Sequence, residues 1–174
     1  MVKVERSVTA PASLAEEAKK VSGKYDMPDV IKQLREDFHD KCYICEMAKL
    51  QDPVVEHLLP HKNGKYKDRK FDWNNLFLSC GHCNNVKNKQ LYEEGIVDCC
   101  KVDPEELIYF RLKESKIDVN AIDTTDKKAL LTVRLIREVF ESKESGGMRD
   151  YKCTMRFQAL HEEMSGTRLR QCGC

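Results

Sequence analysis

Cys42-Tyr43-Ile44-Cys45 and Cys80-Gly81-His82-Cys83 are two Cys-x2-Cys pairs with 34 residues between them, and what they enclose decides the fold. Between them stand Val54-Val55-Glu56-His57-Leu58-Leu59-Pro60 and Trp73-Asn74-Asn75-Leu76-Phe77-Leu78-Ser79; directly after them comes Asn84-Asn85-Val86-Lys87. Two residues between thiolates let both sulfurs face one ion, and two such knuckles complete a tetrahedral four-cysteine shell of the kind that holds zinc. A closed shell leaves no open coordination position, so a zinc on Cys42, Cys45, Cys80 and Cys83 is expected to be structural. The β-branched Val54 and Val55, set between Pro53 and Pro60, predict a short strand. Asn75 to Leu78 predicts a second strand or a turn into the second knuckle. From Asn84 the pattern suits a helix, with Asn84, Lys87 and Asn88 on one face.

The chain has 174 residues, 41% of them hydrophobic and 34% charged, with a mean hydropathy of -0.60. That composition fits a soluble protein with a core and argues against wholesale disorder. There is no apolar run of bilayer length and no signal-peptide pattern at the start, so a cytoplasmic protein without a membrane association is expected. In a reducing compartment, paired spacing among nine cysteines points to metal before disulfides. The net charge of +1 hides an asymmetry: between His57 and Lys89, seven cations (Lys62, Lys65, Lys67, Arg69, Lys70, Lys87, Lys89) stand against Asp68 and Asp72. A local basic patch is what a phosphate backbone requires, and a solvated charged loop is the plainer reading of the same residues.

Glu56 and His57 are adjacent, and Asn84 follows Cys83 directly. A carboxylate and an amide oxygen are hard ligands, suited to Mg²⁺ or Mn²⁺. A neutral imidazole beside them can take a proton from water and so generate a nucleophile. Those parts suffice for phosphodiester hydrolysis. Neighbours on a strand point to opposite faces, so Glu56 and His57 can share a site only if the strand ends or bulges there.

Cys42-x2-Cys45, Glu56-His57-x2-Pro60, Asn75-Leu76 and Cys80-x2-Cys83-Asn84-x2-Lys87 together resemble an HNH endonuclease of the ββα-metal type. The match covers residues 42 to 89. It implies His57 as general base, Glu56 and Asn84 as ligands of a catalytic Mg²⁺ or Mn²⁺, and Asn75 as the catalytic-loop residue that braces the loop and orients His57. Asn84 stands where the family usually has His. Lys87 matches a basic residue that meets a phosphate, and Lys89, Lys65, Lys67 and Arg69 join it as expected nucleic-acid contacts. Glu56-His57-Leu58-Leu59-Pro60, Phe71-Asp72-Trp73-Asn74-Asn75-Leu76 and Val97-Asp98-Cys99-Cys100-Lys101-Val102-Asp103-Pro104 are more specifically similar to one branch. That branch is the HNH subunit that accompanies an ATPase in Septu-type and retron-linked anti-phage systems. The resemblance implies DNA (or RNA) as substrate and an ATPase partner in trans, which fits a chain with no Gly-rich Lys-Ser/Thr loop of its own.

The expected fold class is α+β and mainly helical, with a small zinc-stapled ββα core at 42–90 between an N-terminal helical segment (1–41) and a mainly helical extension (91–174). Helices are predicted over Ser13–Val21, over Pro28–Phe38 with Asp26 as cap, over Asp126–Ser142 with Asp123-Thr124-Thr125 as cap, and over Met148–Met164 after Gly146-Gly147. His61 to Lys70 reads as loop, Asp103-Pro104-Glu105-Glu106 as the start of a helical turn or a short helix, and Ile108–Leu112 with Ile117–Val119 as a hairpin. His82 reads as a loop residue near the phosphates, His61 as loop or substrate contact, and Trp73 as packing beneath the strand. The apolar stripe of the 126–142 helix is most simply core, with partner docking as the sharper alternative. The competing account of the whole chain is a non-catalytic zinc module that binds nucleic acid or protein.

Overall fold

The computed structural model describes residues 1–63, 65–113, 116–141 and 155–162. Within them the chain is a mixed α+β fold with six helices and two small sheets. The fold is α+β as expected, and its helices hold more residues than its strands.

Strands β1 (Pro53–His57) and β2 (Leu76–Cys80) pair antiparallel, with Glu56 opposite Phe77 and His57 opposite Leu76. All five residues of β2 are buried. Its second edge is used as well, since the Tyr43 amide donates to the Leu78 carbonyl at 3.0 Å. That one bond sets the first cysteine knuckle against the sheet. Phe77 packs on Tyr43 with ring centroids 4.9 Å apart and on Phe38 at 5.6 Å.

Helix α1 (Ala12–Ala18) is shorter than its amphipathic pattern suggested. Helix α2 (Pro28–Asp37) begins at Pro28, where the missing N–H costs nothing. Its cap residue is Met27, with no side-chain cap bond, so Asp26 does not do that work. Val30, Leu34 and Phe38 bury the expected face. The segment read as loop from His61 to Lys70 contains a one-turn helix, α3 (Lys67–Lys70). A 3₁₀ turn at Trp73–Asn75 leads into β2, held by Asp72 accepting from the Asn74 amide. Helix α4 (Gly81–Lys87) starts three residues before Asn84, because Cys80 is its N-cap and accepts from the Cys83 amide.

Strands β3 (Ile108–Lys113) and β4 (Lys116–Ala121) form the predicted second hairpin. Helix α5 (Lys127–Phe140) packs on β4 and α4. Its cap is Asp126, which accepts from the Lys128 and Ala129 amides, while Asp123 closes a local turn on Thr125. Its stripe is core, since Ala129, Val133, Leu135, Ile136 and Val139 are buried, while Leu130 is exposed. Of the last predicted helix, residues 155–162 are described, as α6. Gly146-Gly147, Cys153, Cys172 and Cys174 lie outside the described residues. Among the described residues no helix is long and apolar enough to cross a membrane.

One hydrophobic cluster draws on all three expected segments, from Val4 and Leu14 through the sheet to Val139 and Phe140. The N-terminal stretch is tied in by the Val4 amide donating to the Cys99 carbonyl at 3.0 Å. Trp73 is core: its Nε1 donates to the Ser7 carbonyl at 2.9 Å and Arg6 lies over its ring.

Candidate functional site

The four sulfurs of Cys42, Cys45, Cys80 and Cys83 lie within 4.8 Å of one another, all four residues buried and none in a disulfide. Cys45 and Cys80 are 3.8 Å apart. Zinc–thiolate bonds of about 2.3 Å in a tetrahedron require sulfurs about 3.8 Å apart. The residues therefore fit a zinc ion, and spacing alone had identified them. Arg156 of α6 adds a partner that sequence gave no reason to seek: its Nη2 donates to Cys80 Sγ at 3.5 Å. A guanidinium there offsets part of the net negative charge of a four-thiolate shell.

The second centre is a cleft of about 630 Å³ beside the shell, lined by Glu56, His57, His61, Asn84, Lys87 and others. Strand β1 ends at His57, which is how two neighbouring residues come to share one cleft. The His57 ring is fixed on several sides. Its Nε2 lies 3.1 Å from the Lys70 carbonyl, and Tyr25 and His61 rings stand 4.5 Å and 4.6 Å from it. A carbonyl only accepts, so Nε2 carries the proton and Nδ1 keeps the lone pair. No hydrogen bond to Nδ1 exists among the described residues. Burial first, and then the nearby charges of His61, Lys87 and Lys70, bring the His57 pKa down to about 4 against the bond from Lys70. The imidazole is neutral at physiological pH.

Asn75 braces the loop that supplies that carbonyl. Its Oδ1 accepts from the Leu59 amide at 2.8 Å, and its Nδ2 donates to the Leu59 and Arg69 carbonyls at 2.9 and 3.0 Å. Arg69 adjoins Lys70, so Asn75 acts on His57 through the backbone. Lys70 itself is tethered, Nζ to the Gly23 carbonyl at 2.6 Å. A Cβ at Gly23 would meet the Glu17 carbonyl oxygen at 1.9 Å, so only glycine permits that approach.

Glu56 is buried and spoken for. Oε2 accepts from the Tyr43 hydroxyl at 2.5 Å, and Oε1 pairs with Lys87 Nζ at 2.6 Å. Burial pushes its carboxyl up, against the pull of Lys87 and then Tyr43. Lys87, expected at a phosphate, is buried. Its ammonium points inward, donating also to the His57 and Leu58 carbonyls at 3.0 and 3.1 Å. Asn84 lines the same cleft one turn earlier on α4, its side chain without a hydrogen bond among the described residues. With both Glu56 oxygens engaged, the expected Mg²⁺ or Mn²⁺ ligand set of Glu56 and Asn84 does not fit a divalent cation in this arrangement.

The basic rim is brought together only in part. Lys65 and Lys67 are exposed, and Arg69 stacks on Tyr66 at 4.2 Å. Lys89 is turned to Glu138 of α5, and Lys62 to Glu93. His82 is not near the cleft: its Nε2 faces the Val139 carbonyl at 3.2 Å. His61, read as loop or substrate contact, does line the cleft.

No protein-family profile matches the chain, and no curated protein or solved structure is significantly similar to it.

Proposed function

We propose that the chain is a zinc-stapled endonuclease of the HNH type that hydrolyses phosphodiester bonds, with DNA as its substrate and RNA as the second candidate, because the chemistry addresses phosphate and not sugar. One observation carries the reading: a neutral His57 whose proton is held on Nε2 by the Lys70 carbonyl, at a cleft shared with Glu56 and Asn84. In that tautomer Nδ1 can accept a proton from water as the water oxygen bonds to phosphorus and the P–O bond to the leaving sugar oxygen breaks, that oxygen taking a proton from solvent. The order β1, β2, α4, with cysteines at the base of the strand pair and at the helix start, supports a ββα-metal core. Lys65, Lys67 and Arg69 supply positive charge near the cleft for the phosphate backbone. An ATPase partner of the anti-phage kind rests on the sequence resemblance, and co-purification from the native host tests it.

A specific observation favours the second reading, a non-catalytic zinc module: Glu56 and Lys87 neutralise each other inside the site. The two are separated by incubating zinc-loaded protein in high Mn²⁺ with supercoiled plasmid and with labelled RNA, alongside His57→Ala. Nicking that disappears in the variant supports the nuclease; nicking equal in both, or in neither, favours the module.

A further inference from the structure

The cation position beside Glu56 is filled by the protein's own side chain. Lys87 Nζ lies 2.6 Å from Glu56 Oε1, 3.0 Å from the His57 carbonyl and 3.1 Å from the Leu58 carbonyl. An ammonium has three N–H donors, so the three oxygens satisfy it completely and none is left for a phosphate. The Lys87 side chain is 4% exposed and that of Glu56 7%. One carboxylate and two carbonyl oxygens form an all-oxygen set of the kind that hard divalent cations choose. Asn84, three residues earlier on α4, offers a further amide oxygen at the cleft.

The placement follows from α4. Helix side chains lean toward the N-terminus, so Lys87 lies back over the turn that holds Asn84. That turn is pinned by Cys80 and Cys83. A divalent cation at Glu56 would stand close to the Lys87 ammonium in a buried site, where the repulsion between the two positive charges is only weakly screened. Pulling the ammonium out unaided would leave a buried carboxylate without its counter-charge, which is strongly unfavourable.

We propose that Lys87 is an internal cation that excludes divalent metal ions from Glu56, so that a metal binds there only when Lys87 withdraws or is removed. This rests on the reading of Glu56, His57 and Asn84 as one site, and makes Lys87 the residue that sets its metal requirement. The ion pair is the lock, and a conformational change of α4 that withdraws Lys87 is the key.

The test is a Mn²⁺ titration of the zinc-loaded full chain, followed by electron paramagnetic resonance, on wild type, Lys87→Met, Lys87→Arg and Lys87→Met combined with Glu56→Gln. Lys87→Met is expected to bind one Mn²⁺ on the order of 100-fold more tightly than wild type, the size expected for displacing a buried pair. Lys87→Arg keeps the charge and should bind as weakly as wild type, and the added Glu56→Gln should abolish the gain. Wild type binding as tightly as Lys87→Met, or no Mn²⁺ site in Lys87→Met, overturns the proposal. If Lys87→Met does not fold, the ¹⁵N resonance of the Lys87 ammonium decides it in wild type. Persistence in millimolar Mg²⁺ supports the lock, and loss at micromolar Mg²⁺ overturns it. Tight wild-type Mn²⁺ binding with His57-dependent cleavage would sink the lock and leave the nuclease standing. A lock verified without His57-dependent cleavage would do the reverse.

Discussion

His57 shows how much of a site can depend on one hydrogen bond. Its Nε2 on the Lys70 carbonyl fixes both tautomer and ring direction. With the pKa brought down to about 4 from 6.5, the folded state resists protonation that the unfolded chain accepts. The folded value lies below the unfolded one, so stability from this group is full above pH 6.5 and is lost as pH falls toward 4. At low pH the loss approaches about 3 kcal/mol for a shift of this size. Chemical denaturation at pH 7 and pH 4.5 should show this difference shrinking in His57→Gln. Asn75 is the companion case. Asn75→Ala removes three hydrogen bonds in a buried position and leaves the Leu59 and Arg69 backbone groups unpaired. A destabilisation of about 2–4 kcal/mol is expected from urea unfolding. His57 and Asn75 were both legible in sequence, through the Glu-His pair and the Asn-Leu before the second knuckle. The inward turn of Lys87 was not, because sequence spacing puts a lysine on a helix face without saying which oxygens wait beneath it.

At the scale of elements, α4 joins the two centres. Its cap is a cysteine of the shell, its third residue another, its fourth Asn84 and its seventh Lys87. A helix of seven residues has little stability of its own. Zinc removal should therefore release α4 and with it the Glu56–Lys87 pair, even with Mg²⁺ in excess. One zinc per chain by elemental analysis is expected, falling to none in Cys83→Ser, with protease cleavage appearing within 80–88 after chelation. Full protection of that segment without zinc would contradict the coupling. The doubled Cys-x2-Cys spacing made this centre readable because thiolate geometry is local. Arg156 was not readable, since nothing local links α6 to Cys80 across 76 positions. The caps show the same limit: α5 begins at Asp126, three residues past Asp123, and α2 at Met27, one past Asp26, shifts that tertiary packing decides.

For the whole molecule, the two strands, the second hairpin and the long helix were all visible as patterns of β-branched and apolar residues. The one-turn helix at Lys67–Lys70, inside a segment read as loop, was not, because a single turn gains its stability from packing and not from propensity. Leu34, fully buried between α2 and the sheet, measures packing in the core; Leu34→Ala should cost about 2–5 kcal/mol in urea unfolding. The charge pattern is mixed: Lys65 and Lys67 are exposed, Arg69 stacks on Tyr66 with its Nη1 donating to the Pro60 carbonyl at 3.4 Å, and Lys62 and Lys89 are held by Glu93 and Glu138. Replacing Lys65 and Lys67 by Ala should weaken duplex binding and reduce the slope of log affinity on log salt by roughly 1–2 units. The central claim is that these parts converge on His57 as a general base. Its most direct test is the single-turnover cleavage rate of plasmid DNA from pH 4 to pH 8 by zinc-loaded wild type and His57→Ala, in high Mn²⁺. The account predicts a wild-type rate that declines only near pH 4 and a variant slower by about 100-fold or more across the range. Equal rates in the two proteins would contradict it.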